Sequence, residues 1–347
     1  MEVIMEKNLD GYRQPGLKDF SGKMLIGTRC DEKRDYPGNE DIRILTNEFN
    51  AVQATCYPKA GWLDSYTYDF TNFNKWVNWG VEHGKKVIMH MVTGPNDYFD
   101  DWIANRVWDR DELDAMFREY IKSMITSNDN GNKVYAWNIV NEAFRFDQTG
   151  LYMPDSNCFM NILGHEEDMS GLTGDDKINE THPVYIRKAF QYADAYAKGK
   201  LELRDYDIEF DTESKKNKAL YQLLLHLRAK GVRVDALGLQ GHLYFKEDDA
   251  HDFDKLPEVC NKFRSVGDLE LFVTEADCGS YNDFELQKER YKKFIIACRK
   301  AEISQFYFWG FADNPAGKWR EGQKCLIFDE NFEKKPAYYG VLEGLQS

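Results

Sequence analysis

Two glutamates stand at places in the chain where a side chain could do chemistry. Glu142 directly follows Asn141 at the end of an apolar run, and Glu275 ends a second β-rich run that begins at Leu269. A buried strand that ends in polar side chains presents those groups to a ligand. Two carboxylates at the carboxyl ends of parallel barrel strands could act as the acid and the nucleophile of glycoside hydrolysis.

The elements needed to bring these glutamates together alternate along the chain. Short strand patterns begin near residues 24, 51, 86, 134, 201, 234, 269 and 305, with amphipathic helical patterns between them. Eight strand–helix units predict a single (β/α)8 TIM barrel, an α/β fold, as one domain over residues 1–347. A polar stretch at about 144–182 is predicted to be an elaborated loop, either shaping the site or a passive insertion.

Composition limits the possible partners. The formal net charge of −14 argues against nucleic acid and against an anionic membrane, since either would require a basic face. No run approaches the roughly 18 apolar residues of a membrane span, and the first 25 residues contain no signal-peptide-like hydrophobic segment. Seven scattered cysteines without a CxxC pair predict neither a disulfide framework nor a metal site.

Five segments resemble, in the correct order, those of glycoside hydrolase family 10, the family of retaining endo-β-1,4-xylanases. They are Trp-Asn-Ile-Val-Asn-Glu-Ala (137–143), Leu-Gly-Leu-Gln-Gly-His (237–242), Val-Thr-Glu-Ala-Asp (273–277), Trp-Gly-Phe-Ala-Asp with a following Trp-Arg (309–313, 319–320), and 326–338. Each segment alone is a weak signal, whereas five in order over nearly the whole chain are a strong one.

The resemblance implies a retaining enzyme that cleaves internal β-xylosidic bonds of xylan by double displacement. Glu275 would be the nucleophile, kept ionised with help from a hydrogen bond from His242. Glu142 would be the acid/base, protonated for the first step and deprotonated for the second. No cofactor or metal is implied, and the expected partner is a xylan-type polysaccharide or oligosaccharide bound by a monomer. Family resemblance suggests secretion or a periplasmic location, and a cytoplasmic one remains open.

The resemblance also implies a set of substrate-binding residues: Lys59, His90, Asn141, Gln240, His242, Trp309 and Trp319. Asn141 would bind the 2-hydroxyl of the reacting sugar. The two tryptophans would form an apolar wall around that sugar, although either could be ordinary core.

Two of these assignments depend mainly on alignment with family motifs. His90 matches the second histidine of a two-histidine motif on the third strand, which favours a sugar contact over a buried structural histidine. Lys59 matches a second-strand lysine that reaches the sugar nearest the cleavage point. Its alternative is an ordinary surface lysine.

The sequence also departs from the family pattern. Thr55 and Cys56 stand where the family has a Glu-Asn pair that grips the next sugar, and Lys85 and Met89 replace a histidine and a tryptophan on the third strand. Loss of polar groups that recognise hydroxyls changes discrimination among substrates. The alternatives are therefore β-1,3-xylan, mixed-linkage or decorated xylan, a short oligosaccharide or an aryl glycoside.

Two other classes of protein fit the sequence less well. A metal-dependent barrel hydrolase would carry a His-x-His pair on its first strand, which residues 24–28 lack. A catalytically silent carbohydrate-binding barrel would tolerate the second-strand changes. A protein that only binds carbohydrate needs no nucleophile, however, so the presence of both glutamates together with Asn141, Gln240 and His242 argues against this class. Phosphate-binding loops, Ser-His-Asp arrangements and nucleotide motifs are not found.

Overall fold

The computed structural model describes residues 7–8, 11–12, 14–30, 39–153, 158–243, 251–313 and 320–347. Its central strands are β1 (Leu25–Cys30), β2 (Ala51–Thr55), β3 (Lys86–His90), β4 (Ala136–Asn141), β5 (Lys200–Asp205), β6 (Ala236–Leu239), β7 (Glu270–Cys278) and β8 (Gln305–Phe308). The helices that alternate with them are α1 (Asn39–Glu48), α2 (Thr71–Glu82), α3 (Arg110–Thr126), α4 (Val184–Asp194), α5 (Lys215–Ala229), α6 (Leu256–Arg264), α7 (Phe284–Lys300) and α8 (Pro336–Gln346).

The eight strands are parallel and close on themselves. Each strand pairs with its neighbours in the order β6-β5-β4-β3-β2-β1-β8-β7, and a further pairing between β6 and β7 completes the ring. The predicted (β/α)8 barrel is confirmed. Because all carboxyl ends of the strands lie at one mouth, residues far apart in sequence can meet there.

Smaller elements decorate this barrel and were not anticipated individually. They are the short helices Pro58–Gly61, Asp101–Ala104, Asn130–Lys133 and Cys158–Leu163, the 3₁₀ turns Leu17–Asp19, Asn96–Tyr98, Ser127–Asp129, Gly174–Asp176 and Phe253–Lys255, and the strands Lys7–Asn8, Gly11–Tyr12, Trp62–Asp64, Thr67–Tyr68, His165–Glu167, Thr181–Pro183 and His242–Leu243.

Alternation along the strands divides side chains between the barrel interior and the helix-facing surface. One small interior cluster contains Ala51, Ile88, Ala136, Ala236, Phe272 and Tyr307. The intervening strand residues join the large core beneath the helices. Above the interior cluster, Glu202 and Arg204 of β5 are fully buried. Gly238 makes room for them, since a β-carbon there would lie 2.1 Å from Glu202 Oε1.

The interpretation of Lys85 and Met89 as altered sugar-binding positions is wrong. Lys85 precedes β3, and its Nζ donates to the Phe49 carbonyl oxygen at 2.6 Å. His90 ends the same strand at the mouth, and five extended residues separate the two by roughly 16 Å. Met89 is buried in the helix-facing core, so it faces away from the barrel interior.

The segment after β4 is tied to the barrel by a polar cluster. In the strand pair 165–167/181–183, His182 Nε2 lies 2.9 Å from Asp168 Oδ1, and its Nδ1 lies 2.5 Å from the Tyr152 hydroxyl. On α5, His226 accepts a hydrogen bond from the Met169 amide. These contacts anchor the insertion on α5. In the part of the chain that the structure describes, no helix has the length and apolar character needed to cross a membrane.

Candidate active site

An irregularity in β4 aims two asparagines at the barrel mouth. The register with β5 shifts by one residue, pairing Glu202 with Asn138 but Leu203 with Val140. An extra residue on one strand re-aims the side chains that follow it. The amides of Asn138 and Asn141 consequently meet at 3.3 Å although they are three positions apart. Asn141 is buried, and its Nδ2 has no hydrogen-bond partner among the described residues.

Glu142 takes an unusual backbone conformation directly after β4. Its φ of 51° lies in the left-handed region, which non-glycine residues adopt mainly where the surrounding structure enforces it. Its amide donates to the carbonyl oxygen of Arg204 at 2.9 Å. Gln240 Nε2 donates to its Oε1 at 2.7 Å. The backbone of Glu142 is therefore held from β5, and its carboxyl is held by the residue that follows β6.

The carboxyl of Glu142 favours its protonated form. Burial and then the nearby charge of Glu275 raise its pKa to about 7, against an opposing effect of the hydrogen bond from Gln240. A carboxyl in such surroundings can carry a proton near neutral pH and can also release it.

Glu275 lies within β7 and is 2% exposed. Its amide donates to the carbonyl oxygen of Gln240 at 2.8 Å, so one residue contacts both glutamates. Arg204 Nη1 lies 3.0 Å from its Oε1, and His242 Nε2 lies 3.3 Å from its Oε2. The expected contact between His242 and Glu275 is present. Cations therefore hold both oxygens of this carboxylate.

A chain of polar contacts extends from His242 toward the loop after β8. The two-residue strand His242–Leu243 pairs with the end of β7 and places His242 opposite Asp277. Its Nδ1 lies 3.1 Å from Asp277 Oδ2, and Arg320 Nη1 lies 2.7 Å from Asp277 Oδ1. Burial alone would lower the pKa of His242, but the carboxylates of Asp277 and Glu275 raise it to about 10. His242 is therefore an imidazolium at neutral pH.

Arg204 occupies the barrel interior below the glutamates. Its guanidinium contacts Glu202 at 2.7 Å, Gln53 at 3.0 Å and His90 Nδ1 at 3.0 Å. His90 Nδ1 also lies 3.0 Å from the side-chain amide of Asn138. Burial lowers the pKa of His90 well below its usual value, so its ring is neutral near pH 7. Burial raises the pKa of the Glu202 carboxyl, and Arg204 opposes that rise.

The surroundings of Glu275 favour its ionised form. Burial would raise its pKa, but His90, His242 and Arg204 together lower it to about 2. At neutral pH, where the His90 ring is uncharged, the cations beside the carboxylate are His242 and Arg204. The two glutamates at the mouth thus prefer opposite protonation states.

Aromatic rings border the mouth. The Trp309 ring packs edge-on against His90 and His242, with centroids 5.1 and 6.1 Å apart. Arg29 Cζ lies 4.2 Å from the centre of the Trp309 ring. Trp309, predicted to form part of an apolar wall, therefore lies beside both histidines, and its contact with a sugar stays a prediction.

A second aromatic group is stacked above β2. The rings of Tyr57 and Tyr98 are nearly parallel, with centroids 5.1 Å apart. Lys59 is exposed, and its Nζ donates to the Asp97 carbonyl oxygen at 3.1 Å. It stands 5.9 Å from the Tyr98 ring, so it belongs to this tyrosine group. The predicted Trp319 lies outside the described residues.

Sequence reasoning assigned no role to Glu202 or Arg204. A signal was present, because residues 200–204 alternate leucine with charged side chains. In a strand, that alternation sends the charges to one face and the leucines to the other. Here the charged face turns into the barrel, where an ion pair is buried.

One cluster among the described residues has groups spaced for a metal ion: Asp168, His182 and His226, whose ligand atoms lie within 4.8 Å of one another. The Met169 amide donates to His226 Nδ1 at 3.1 Å, so the neutral ring carries its proton on Nε2, which faces Glu166 at 3.1 Å. That nitrogen then has no lone pair for a metal. The cluster fits a hydrogen-bonded anchor better than a metal centre.

A (β/α)8 barrel with two buried glutamates of opposite protonation preference at its mouth has the groups that glycoside hydrolysis requires. The family model of glycosyl hydrolase family 10 matches residues 17–344. The chain therefore belongs to glycosyl hydrolase family 10. The sequence-based predictions of this family and of an enzyme of the xylanase class are confirmed.

Individual relatives show how far the similarity extends. Endo-1,4-beta-xylanase B of Thermotoga neapolitana is 28% identical over 90% of this chain and 83% of its own length. Endo-1,4-beta-xylanase A of Thermoanaerobacterium saccharolyticum is 26% identical over 93% of this chain, which spans 27% of that longer protein. The structure of xylanase 10B from Thermotoga petrophila, solved in complex with xylobiose, superposes with a TM-score of 0.79 and 24% identity, covering 96% of this chain and 98% of that one. That likeness supports the fold.

Proposed function

We propose that this chain hydrolyses internal β-xylosidic bonds of xylan with retention of configuration. Glu275 serves as the nucleophile and Glu142 as the acid/base. The observation that carries the proposal is the placement of the two carboxyls: Gln240 contacts both glutamates, and Arg204 and His242 each hold one oxygen of Glu275. Burial and then the charge of Glu275 raise the pKa of Glu142 to about 7, whereas the contacts of Glu275 outweigh its burial and lower its pKa to about 2. Environments that push two neighbouring carboxyls apart in this way assign the acid and the base.

In the first half-reaction, ionised Glu275 attacks the anomeric carbon and forms a glycosyl ester. The bond to the departing sugar breaks, and its oxygen takes the proton from Glu142. The charge of Glu275 is lost in the ester, so a main cause of the raised pKa of Glu142 disappears. Glu142 is then a carboxylate ready to act as a base.

In the second half-reaction, Glu142 removes a proton from water, and the water oxygen attacks the anomeric carbon. The bond to Glu275 breaks, and its electron pair returns to the carboxylate. Throughout both steps the Nδ2 group of Asn141 is available to donate to the sugar 2-hydroxyl, a contact that strengthens in the transition state.

The second-strand changes bear on the choice of glycan. Thr55 and Cys56 are 0% and 3% exposed, so neither offers an accessible polar group to a neighbouring sugar. The Tyr57–Tyr98 stack and Lys59 stand on this side instead. The alternative of the same chemistry on a different glycan rests on this observation.

The test is reducing-end release from β-1,4-xylan, β-1,3-xylan, glucuronoxylan and mixed-linkage glucan, with Glu275→Ala protein as the blank. We expect cleavage of β-1,4-xylan. Activity on only one of the other polymers would mean that the same mechanism acts on that glycan instead of β-1,4-xylan. Binding to a glycan without any hydrolysis would instead support a silent carbohydrate-binding barrel.

The pKa values of the two glutamates also predict the pH dependence of kcat/KM. Activity requires Glu275 ionised and Glu142 protonated, so the profile should fall as pH rises through about 7, the pKa of Glu142. The acidic limb belongs to Glu275 and should lie far lower, near its pKa of about 2 where the protein stays folded. Initial rates between pH 4 and 10 measure the alkaline limb on an aryl β-xylobioside with an unactivated leaving group, which requires the proton of Glu142. A profile flat to pH 9 would contradict the role of Glu142.

A further inference from the structure

The pair formed by Glu202 and Arg204 is unusual for its place in the barrel. Both side chains have 0% exposure, and the guanidinium contacts Glu202 with two nitrogens, at 2.7 and 3.2 Å. Burying two charges costs free energy that their attraction often fails to repay, so such a pair is weak evidence for a stabilising role. A further contact of Arg204, from its Nη1 to Glu275 Oε1 at 3.0 Å, points toward the reacting group.

The charges around Glu275 alternate in sign along one continuous chain of contacts. It runs from Glu202 to Arg204, Glu275, His242, Asp277 and Arg320. Each carboxylate of this chain except Glu202 lies between two cations. The nucleophile therefore has His242 on the mouth side and Arg204 from the interior, one at each oxygen.

We propose that Arg204 is a positioning residue for the nucleophile and that it promotes the release of Glu275 from the sugar in the second half-reaction. Glu202 orients Arg204 and balances its charge within the closed interior. The inference rests on the proposed retaining function and extends it to a residue for which the sequence offered no role.

The chemical reason lies in where charge appears. During hydrolysis of the ester, the C1–O bond breaks and its electron pair returns to Glu275, while the water proton goes to Glu142. A hydrogen bond from Arg204 strengthens as that negative charge develops, which stabilises the departing carboxylate. During attack the same contact weakens, because Glu275 loses its charge. Arg204 should accelerate the second step at the expense of the first.

The test compares the wild type with Arg204→Met/Glu202→Gln, which removes the pair without leaving an unpaired buried charge. On 2,4-dinitrophenyl β-xylobioside the first step is fast, so kcat reports the second step and kcat/KM reports the first. We expect kcat to fall about tenfold or more, the usual effect of a lost charge-assisted hydrogen bond. KM should fall in parallel, and the glycosyl-enzyme should accumulate in the intact mass spectrum.

The pH behaviour supplies a second readout. Loss of the Arg204 cation should raise the pKa of Glu275 by about one unit or more. That rise should shift the acidic limb of the kcat/KM profile to higher pH. It can also be measured directly by ¹³C NMR titration of the labelled Glu275 carboxyl, whose signal is assigned by its absence in Glu275→Gln. The matched control is Arg187→Met, which breaks an Arg–Glu166 pair at 2.8 Å in the insertion anchor. It should leave kcat, KM and the acidic limb unchanged.

The outcomes separate this inference from the proposed function. Wild-type silence on the aryl xylobioside would overturn the proposed function, while the NMR titration would still test the influence of Arg204 on Glu275. Wild-type turnover with an unchanged carboxyl pKa and an unchanged ratio of kcat to kcat/KM in the double variant would overturn the inference. If the double variant does not fold, Arg204→Lys allows the same comparison, with smaller shifts in the same direction expected.

Discussion

Replacing Glu275 with alanine is expected to lower kcat on an aryl β-xylobioside by at least about 10⁴-fold, because no other group can form the glycosyl ester. The cavity left by the carboxylate lies beside Arg204 and His242, two cations. A small anion such as azide should therefore bind there, attack the sugar and restore part of the activity. The expected product is a glycosyl azide of inverted configuration, identified by NMR.

The control for this prediction lies on the same strand. Glu270 begins β7 at the opposite end of the barrel and pairs with Lys200 at 2.7 Å. Glu270→Ala should keep near wild-type kcat. If Glu275→Ala also kept wild-type turnover without azide, the assignment of the nucleophile would be wrong.

Replacing Glu142 with alanine is expected to have an effect that depends on the leaving group. A substrate whose leaving group requires a proton should lose about 10²–10⁴-fold in kcat/KM, whereas 2,4-dinitrophenyl β-xylobioside should lose far less. The alkaline limb near pH 7 should also disappear, because the group that titrates there is gone. The measurement is a series of aryl β-xylobiosides with leaving groups of graded pKa, each followed from pH 5 to 9.

Gln240→Ala should change the pKa of the acid/base Glu142 without removing its carboxyl, and so serves as the comparison for Glu142→Ala. It removes the 2.7 Å hydrogen bond that lowers the pKa of Glu142, so the alkaline limb should move to higher pH while dependence on the leaving group stays near wild type. Equal losses for activated and unactivated substrates in Glu142→Ala would argue against proton donation by Glu142.

The fold could be predicted from sequence because periodicity reports which faces of each element are buried. Strands such as Ala51–Thr55 and helices such as Phe284–Lys300 lie within a residue or so of where their patterns place them. The ends of strands were also informative, since Glu142 and Trp309 directly follow β4 and β8. Glu275 instead lies inside β7, three residues before that strand ends at Cys278. Closure of the barrel then brings these residues to one mouth.

Other features depended on distances that a sequence does not state. Lys85 was matched to a motif position, although an extended strand carries residues five apart to opposite ends of the barrel. The contacts of Arg204 with Gln53, His90 and Glu275 span 151, 114 and 71 residues of sequence. A local pattern can show that a charge faces inward, but only the closed barrel shows which groups it meets.

The absence of a side chain at Gly238 links three positions that would otherwise vary independently. A methyl group there would collide with Glu202, and displacing Glu202 would leave Arg204 without its buried counter-charge. If the Glu202–Arg204 pair is introduced into another family member, that protein should therefore fold with the pair buried only when glycine is also present at the position of Gly238. Homologues with a larger residue here should lack the acid, so the three positions should change together during divergence.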